Sequence, residues 1–181
     1  MDRPDEPTDD GKWMELAMSL DIQPIVNVAD VSLDTLSHGE RFSVQTGEIA
    51  ASLGLSTLGC MLHVVPPGKT AFPFHRHHGC DEMFVILSGG GEYRIGDTRL
   101  AVRAGDCLGA PAGGEAHQII NTGGEELRYL GLSNIPPADV VEYPDSGKIG
   151  IGVGSKGVHY ENATFKKRGR LTPAEYWDGE D

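Results

Sequence analysis

The chain has 181 residues and a formal net charge of -12, with 25 glycines, 11 prolines and three cysteines. Such an acidic protein repels phosphate backbones, which argues against nucleic-acid binding, and no apolar run approaches the roughly 18 residues of a membrane span. The cysteines lack the close spacing of a disulfide framework or a CxxC zinc pair, so we expect a protein of the reducing cytoplasm.

The first 40 residues carry little strand-forming sequence. Residues 1–10 are acidic and contain proline, as a loose arm would. Residues 11–20, GKWMELAMSL, place apolar side chains at helical spacing and predict a short amphipathic helix. We therefore expect residues 1–40 to form an N-terminal arm with one short helix.

Residues 41–143 follow a different pattern, in which short runs of strand-forming residues stand between glycines and prolines. The runs are RFSVQT (41–46), TLGCMLHVV (57–65), EMFVIL (82–87), EYRI (92–95), TRLAVR (98–103), AHQIIN (116–121) and ELRYLGLS (126–133). Only the two residues Gly96-Asp97 separate the run EYRI from the run TRLAVR, and such a connection is a strong hairpin signal. Strands at this spacing, with no helical pattern between them, predict an all-β sandwich or barrel.

Residues 144–181 are expected to form a C-terminal extension that packs on this barrel. The stretch 147–157 lacks the Gly-Lys-Ser/Thr order of a phosphate loop and the following helix of a dinucleotide-binding motif, so it predicts a glycine-rich strand or loop. Residues 172–175, TPAE, have the order of a helix start with a capping box. We expect a helical turn here that docks Tyr176 and Trp177 onto the body.

The histidine cluster HRHHGCDE, residues 75–82, carries most of the chemistry in the sequence. Residues two apart on a strand point to the same side, so His75 and His77 face one way and can converge on one ion. If Gly79 allows a turn, Glu82 begins the next strand and points back at the same place. A buried ionised carboxylate is costly unless it is paired or bound to a cation, so Glu82 favours a metal or a hydrogen-bond partner.

The strand that begins at Glu82 has apolar side chains on both faces. One set is Glu82, Phe84 and Ile86, and the other set is Met83, Val85 and Leu87. Because both sets are apolar after the first position, the pattern predicts a strand buried on both sides.

A fourth candidate ligand is His117, which begins the run HQIIN after a proline and two glycines. An antiparallel fold can bring this strand beside His75, His77 and Glu82. Three imidazoles and one carboxylate suit Zn, Fe, Mn, Ni, Cu or Co and do not favour Ca or Mg. Four protein ligands also leave one or two coordination positions free for a substrate.

Other polar residues near these elements have less specific interpretations. We interpret His78, Cys80 and Asp81 as members of a solvated turn. His63 either faces the cavity as an acid–base candidate or is an ordinary strand histidine, and the strand pattern alone favours the second. The role of Tyr93 stays open.

In this arrangement the sequence resembles the cupin superfamily, and in particular its small single-domain members of the type 2 conserved-barrel kind. Two motifs carry the resemblance. The first comprises Gly68, His75-Arg76-His77, Glu82 and Gly89, and the second comprises Gly105, Pro111, Gly113, His117 and Asn121. The gaps before His75 and before His117 are each one residue longer than in the commonest form, which loop variation absorbs.

The resemblance implies a double-stranded β-helix, a small all-β jelly-roll barrel, here with short peripheral helices. It also implies a divalent transition metal inside the barrel, held by His75, His77, Glu82 and His117. Such sites host dioxygenases, isomerases, decarboxylases, lyases and non-catalytic binders. The resemblance therefore indicates the scaffold and the kind of ion, and leaves the reaction open.

Two functions of different classes fit these features. The first is a metal-dependent enzyme of dioxygenase, isomerase or lyase type that acts on a small organic molecule, with no catalytic residue assigned. The second is a non-catalytic cupin that binds or senses a small ligand and holds a structural metal. Inner positions Phe84, Ile86 and Ile119 predict a partly apolar cavity, and the lack of inward Arg and Lys argues against a sugar phosphate. Barrel edges and flanking arms predict a homodimer.

Overall fold

The computed structural model describes residues 22–154 and 163–180, and these residues form strands joined by turns and one short 3-10 helix, Val28–Asp30. The strands are β1 Asp34–His38, β2 Phe42–Glu48, β3 Leu58–Val65, β4 Arg76–His77, β5 Glu82–Ser88, β6 Gly90–Ile95, β7 Thr98–Arg103, β8 Cys107–Ala110, β9 His117–Ile120, β10 Leu127–Asn134, β11 Ala138–Tyr143, β12 Lys148–Val153 and β13 Phe165–Gly169. Each predicted run between residues 41 and 143 is a strand, so the all-β prediction is confirmed.

Three antiparallel sheets build the barrel wall. The largest has the order β1-β2-β3-β10-β5-β8, a second has the order β13-β12-β11-β4, and a third has the order β7-β6-β9. Strands distant in sequence are neighbours in the largest sheet, because β10 lies between β3 and β5. The predicted two-residue hairpin joins β6 to β7, with Gly96 at a positive φ of 52°.

Side-chain alternation on β3 separates an inner core from an outer one. Leu62 and Val64 point outward with Ile49, and apolar residues between 26 and 33 cover them. Val65 points inward and joins the barrel core, whose largest members are Tyr129, Tyr93, Phe84, Ile86, Leu127 and Ile119. The side chain of His63 shares the inward face of this strand.

Three expectations about β5 and the C-terminal extension differ from the structure. The outer face of β5 is not buried, because Met83 is 44% and Leu87 40% exposed. Residues 172–175 do not start a helix; a turn follows them, and Tyr176 and Trp177 are 84% and 73% exposed instead of docked. Nucleation of a short helix is unfavourable unless side-chain packing stabilises the helix. The side chains of Tyr176 and Trp177 pack on no apolar surface among the described residues.

Some expectations fall outside the part of the chain that the structure describes. The predicted helix of residues 11–20 lies there, as does the end of the glycine-rich stretch, whose beginning is β12. None of the helices among the described residues has the length and apolarity that crossing a membrane takes.

Candidate metal centre

A cavity of about 410 Å³ lies inside the barrel, between the largest sheet and the sheet that contains β11 and β4. Its wall comes from both predicted motifs and from strands far from them in sequence. The polar part of the wall includes the histidine–glutamate cluster, and much of the remainder is aromatic or aliphatic, including Phe72, Phe84, Ile119 and Tyr129. Its volume is that of a site for a small molecule.

His75, His77 and Glu82 all line this cavity and lie close together. Each offers one ligand atom, and these three atoms lie within 4.8 Å of one another. The His75 and His77 rings are 5.1 Å apart between centroids, as expected for alternate positions on one extended segment. Glu82, the first residue of β5, brings a carboxylate oxygen to 3.4 Å from Nε2 of His77. The structure therefore brings together the three candidate metal ligands of the first motif.

Backbone pairing places His117 beside them. The His75 and His117 backbones exchange hydrogen bonds of 3.1 and 2.7 Å, and the two rings are 4.6 Å apart. Nε2 of His117 lies 3.2 Å from the same oxygen, Oε2 of Glu82, while the side chain is almost fully buried. Both atoms are buried, and neither makes a hydrogen bond of good geometry. Two buried, unsatisfied ligand atoms at one point form an arrangement that a cation would satisfy.

Contacts behind the cluster fix how the first two imidazoles are turned. Nδ1 of His75 is 2.7 Å from the carbonyl oxygen of Pro73, and Nδ1 of His77 is 2.5 Å from Oδ2 of Asp139. In each ring this leaves Nε2 free to face the cavity. Asp139 also accepts a 2.8 Å hydrogen bond from the Gly79 backbone, so it ties the turn to the ring. An outer carboxylate of this kind orients a metal-binding histidine and raises its basicity.

Sequence reasoning missed Asp139. It lies on β11, 62 residues from His77, and comes beside that ring only because β11 pairs with β4. No local spacing signals this contact. Glu142, another acidic residue of the same strand, forms an ion pair with Arg76 instead.

The cluster shifts the pKa values of its members in opposite directions. Burial alone would raise the pKa of Glu82, but the imidazoles of His117, His77 and His75 lower it to about 2. Burial and the neighbouring His117 lower the pKa of His75 to about 4. Burial would also lower the pKa of His77, but the hydrogen bond to Asp139 outweighs it and raises that pKa. The carboxylate is therefore ionised at neutral pH and His75 is neutral, which are the states that ligate metals.

The remaining residues of HRHHGCDE form the bend and point elsewhere. His78 lies 3.1 Å from Glu142, on the outside of the sheet. Asp81 is exposed and accepts a hydrogen bond from the Ala112 backbone. These two agree with the predicted solvated turn. Cys80 does not, because it is buried, lines the cavity and points its thiol at the Asn134 carbonyl.

Other singled-out residues have structural roles. The Asn121 side chain donates to the carbonyls of Val65 and Glu125 and so holds the end of β9. The Tyr93 hydroxyl donates to the Gly109 carbonyl and its ring belongs to the core. Of the three predicted inner apolar positions, Phe84 and Ile119 line the cavity, while Ile86 packs in the core instead.

His63 lies on the cavity wall, and only 7% of it is exposed. Its ring stacks on Tyr129 at 4.8 Å between centroids and meets Phe72 edge-on at 5.5 Å. Its Nδ1 is buried and has no hydrogen-bond partner among the described residues. Burial lowers the pKa of His63 to about 4.

Comparison with known proteins agrees with this architecture. Residues 61–133 match the model of the Cupin domain family. Auxin-binding protein 1 of Arabidopsis thaliana is 31% identical over 134 residues, which are 67% of this chain and 65% of that protein. An oxalate-binding protein of Thermotoga maritima is 34% identical over 68 residues, 38% of this chain and 54% of the other. This chain therefore spans less than two thirds of either relative.

A solved structure extends the likeness beyond the matched domain. The crystal structure of a sugar phosphate isomerase of the cupin superfamily from Silicibacter pomeroyi superposes with a TM-score of 0.70 at 18% identity, over 84% of this chain and 98% of the other. At this identity the likeness concerns the fold. The chain belongs to the cupin superfamily, and its barrel is the double-stranded β-helix that the sequence predicts.

Proposed function

We propose that this cupin binds one divalent transition metal through His75, His77, Glu82 and His117. The observation that carries the proposal is the convergence of His75, His77 and Glu82, whose ligand atoms lie within 4.8 Å of one another on the cavity wall. The unpartnered Nε2 of His117, 3.2 Å from the Glu82 oxygen, supplies the fourth ligand.

The donor set fits Fe, Mn, Zn, Ni, Cu or Co. It offers three imidazole nitrogens and one carboxylate oxygen, which is a poor set for Ca or Mg. When bound, such an ion would act as a Lewis acid that polarises an oxygen of the substrate. Asp139 and the Pro73 carbonyl keep Nε2 of His77 and His75 directed at the site.

The substrate class that fits the cavity is a small organic molecule. The cavity of about 410 Å³ has the size of a small-molecule site, and its wall is largely apolar. We therefore propose a metal-dependent enzyme of dioxygenase, isomerase or lyase type. A second candidate is a non-catalytic binding or sensing protein, which is favoured by the two relatives being named for binding auxin and oxalate.

Metal content tests the site directly. Untagged wild-type protein is compared by elemental mass spectrometry with a His75→Ala/His117→Ala double variant and with His78→Ala, which removes an adjacent histidine that faces Glu142. We expect close to one equivalent of one transition metal in the wild type and in His78→Ala, and almost none in the double variant. No uptake by the wild type after each ion is offered would refute the proposal.

Product analysis separates the enzyme from the binding protein. Metal-loaded protein is incubated with oxalate, the ligand that names one relative, while binding is followed by calorimetry and products by mass spectrometry. A new product would support an enzyme. Binding with oxalate recovered unchanged would support the second candidate.

A further inference from the structure

A second cavity, of about 430 Å³, lies beside the barrel cavity. Its wall comes from β1, from the loop that precedes β4 and from the turn between β11 and β12. Among the described residues that line it, none is a proposed metal ligand, and only Leu36 and Phe72 also line the barrel cavity. Its volume suits a small molecule, and the proposed function makes no use of it.

Three phenylalanines, Phe42, Phe72 and Phe74, contribute the aromatic part of this wall. Phe74 is only 6% exposed, and the guanidinium carbon of Arg94 lies 3.5 Å from the centroid of its ring. Aromatic rings pack well against the faces and edges of other flat apolar groups. The wall therefore fits the apolar body of a small molecule.

Two cationic side chains, Arg41 and Lys148, line the same cavity. Nη2 of Arg41 donates a 3.2 Å hydrogen bond to Oε1 of Gln118, and its guanidinium carbon lies 5.2 Å from the centroid of the Phe42 ring. Gln118 is only 2% exposed, and its own amide donates a 2.8 Å hydrogen bond to the Phe72 carbonyl. A buried neutral amide therefore anchors the guanidinium and leaves its charge uncompensated.

Neither cation forms an ion pair among residues 22–154 and 163–180. Nζ of Lys148 lies 5.4 Å from the centroid of the Tyr143 ring. Asp145 also lines the cavity, but its two carboxylate oxygens accept hydrogen bonds of 2.8 and 2.9 Å from Arg94. The cavity thus keeps an excess of positive charge in a chain whose formal net charge is -12. Such a charge excess beside apolar rings favours an organic anion.

We infer that this cavity is a second binding site, which takes a small organic phosphate with a flat apolar body. A phosphate monoester carries a charge of about -1.5 to -2 at pH 7, which Arg41 and Lys148 can balance. The hydroxyls of Ser37 and Ser146 on the same wall are further hydrogen-bond donors. The apolar body would lie against the three phenylalanines. The inference goes beyond the proposed function, because it requires neither the metal nor the barrel cavity.

NMR titration of metal-free protein tests the inference. 15N-labelled wild type, treated with EDTA, is titrated with phenyl phosphate, with inorganic phosphate and with phenol, which are the complete probe, its charged part and its apolar part. We expect phenyl phosphate to bind roughly tenfold more tightly than either part, since it uses both the cations and the rings. Its binding should shift the amide resonances of residues 36–42, 71–74 and 145–148, which hold the cavity wall.

Two matched double variants locate the charge that matters. Arg41→Gln/Lys148→Gln should weaken the binding of phenyl phosphate roughly tenfold or more, because it removes the charged hydrogen-bond donors. Arg103→Gln/Arg128→Gln removes the same charge at residues that line neither cavity, and it should bind like the wild type. A dispersed amide spectrum shows that each variant is folded.

The outcomes separate this second site from the proposed metal site. Absence of saturable binding by the wild type up to about 10 mM phenyl phosphate would overturn the inference. Equal affinity in Arg41→Gln/Lys148→Gln, or resonance shifts confined to residues of the barrel cavity, would overturn it as well. Failure of the wild type to take up any metal would count against the proposed function alone, since the titration is done without metal.

Discussion

Burial of His63 gives the folded protein a defined response to acid. Its pKa falls from 6.5 to about 4 because the ring is desolvated. Between these values the unfolded chain binds a proton that the folded protein excludes. The contribution of His63 to the free energy of unfolding is therefore fully present above pH 6.5 and is lost as the pH falls towards 4. At about 1.4 kcal/mol per unit, acidification from pH 7 to about pH 4.5 removes about 2–3 kcal/mol through this residue.

Urea denaturation measures this loss. Wild type and His63→Phe are compared at pH 7 and pH 4.5 after treatment with EDTA, so that release of a metal does not contribute to the pH dependence. Phenylalanine keeps the contacts with Phe72 and Tyr129 but does not titrate. We expect acidification to cost the variant about 2–3 kcal/mol less than the wild type. An equal loss in both proteins would show that His63 is not held neutral and would refute the reasoning.

Three further predictions follow from other parts of the molecule. Asp139→Asn removes the charged acceptor that orients His77, so calorimetry should show Co2+ affinity lowered by about 10- to 100-fold; unchanged affinity would contradict this. Gly89→Ala should destabilise more than Gly68→Ala by about 1–3 kcal/mol in urea, since both glycines have similar positive φ but only the first would meet a backbone carbonyl, that of Glu126. Light scattering after size-exclusion chromatography should give twice the 19.4 kDa chain mass, as expected for a homodimer, and a monomer alone would count against it.

The sequence predicted the strands and the local half of the site because both depend on short-range rules. Alternation of side chains is enough to put His75 and His77 on one side, and the glycine after them permits the bend that returns Glu82. Turn residues such as Gly96-Asp97 mark where strands end. These features need only a few neighbouring residues, and the structure has each of them.

Burial was harder to predict than secondary structure. Met83 and Leu87 have the same apolar character as Phe84 and Ile86, yet they lie on the outer face of β5 and are exposed. A run of apolar residues shows that a strand is compatible with burial on both faces, but which face is covered depends on what packs there. The outer face of β3, by contrast, is covered by residues 26–33.

Contacts made by strand pairing account for what sequence reasoning missed at the site. Asp139 reaches His77 because β11 pairs with β4, and the His63 ring faces Tyr129 and Gly131 because β3 pairs with β10. In each case the partner is about 60 residues away or more, and its type alone does not identify it. The spacing of residues in the first motif therefore predicts which side chains could hold a metal. The pairing of distant strands determines how those side chains are oriented and which residues line the cavity beside them. In this cupin, residues that orient the candidate metal ligands therefore lie on strands that pair with the strands of the two motifs.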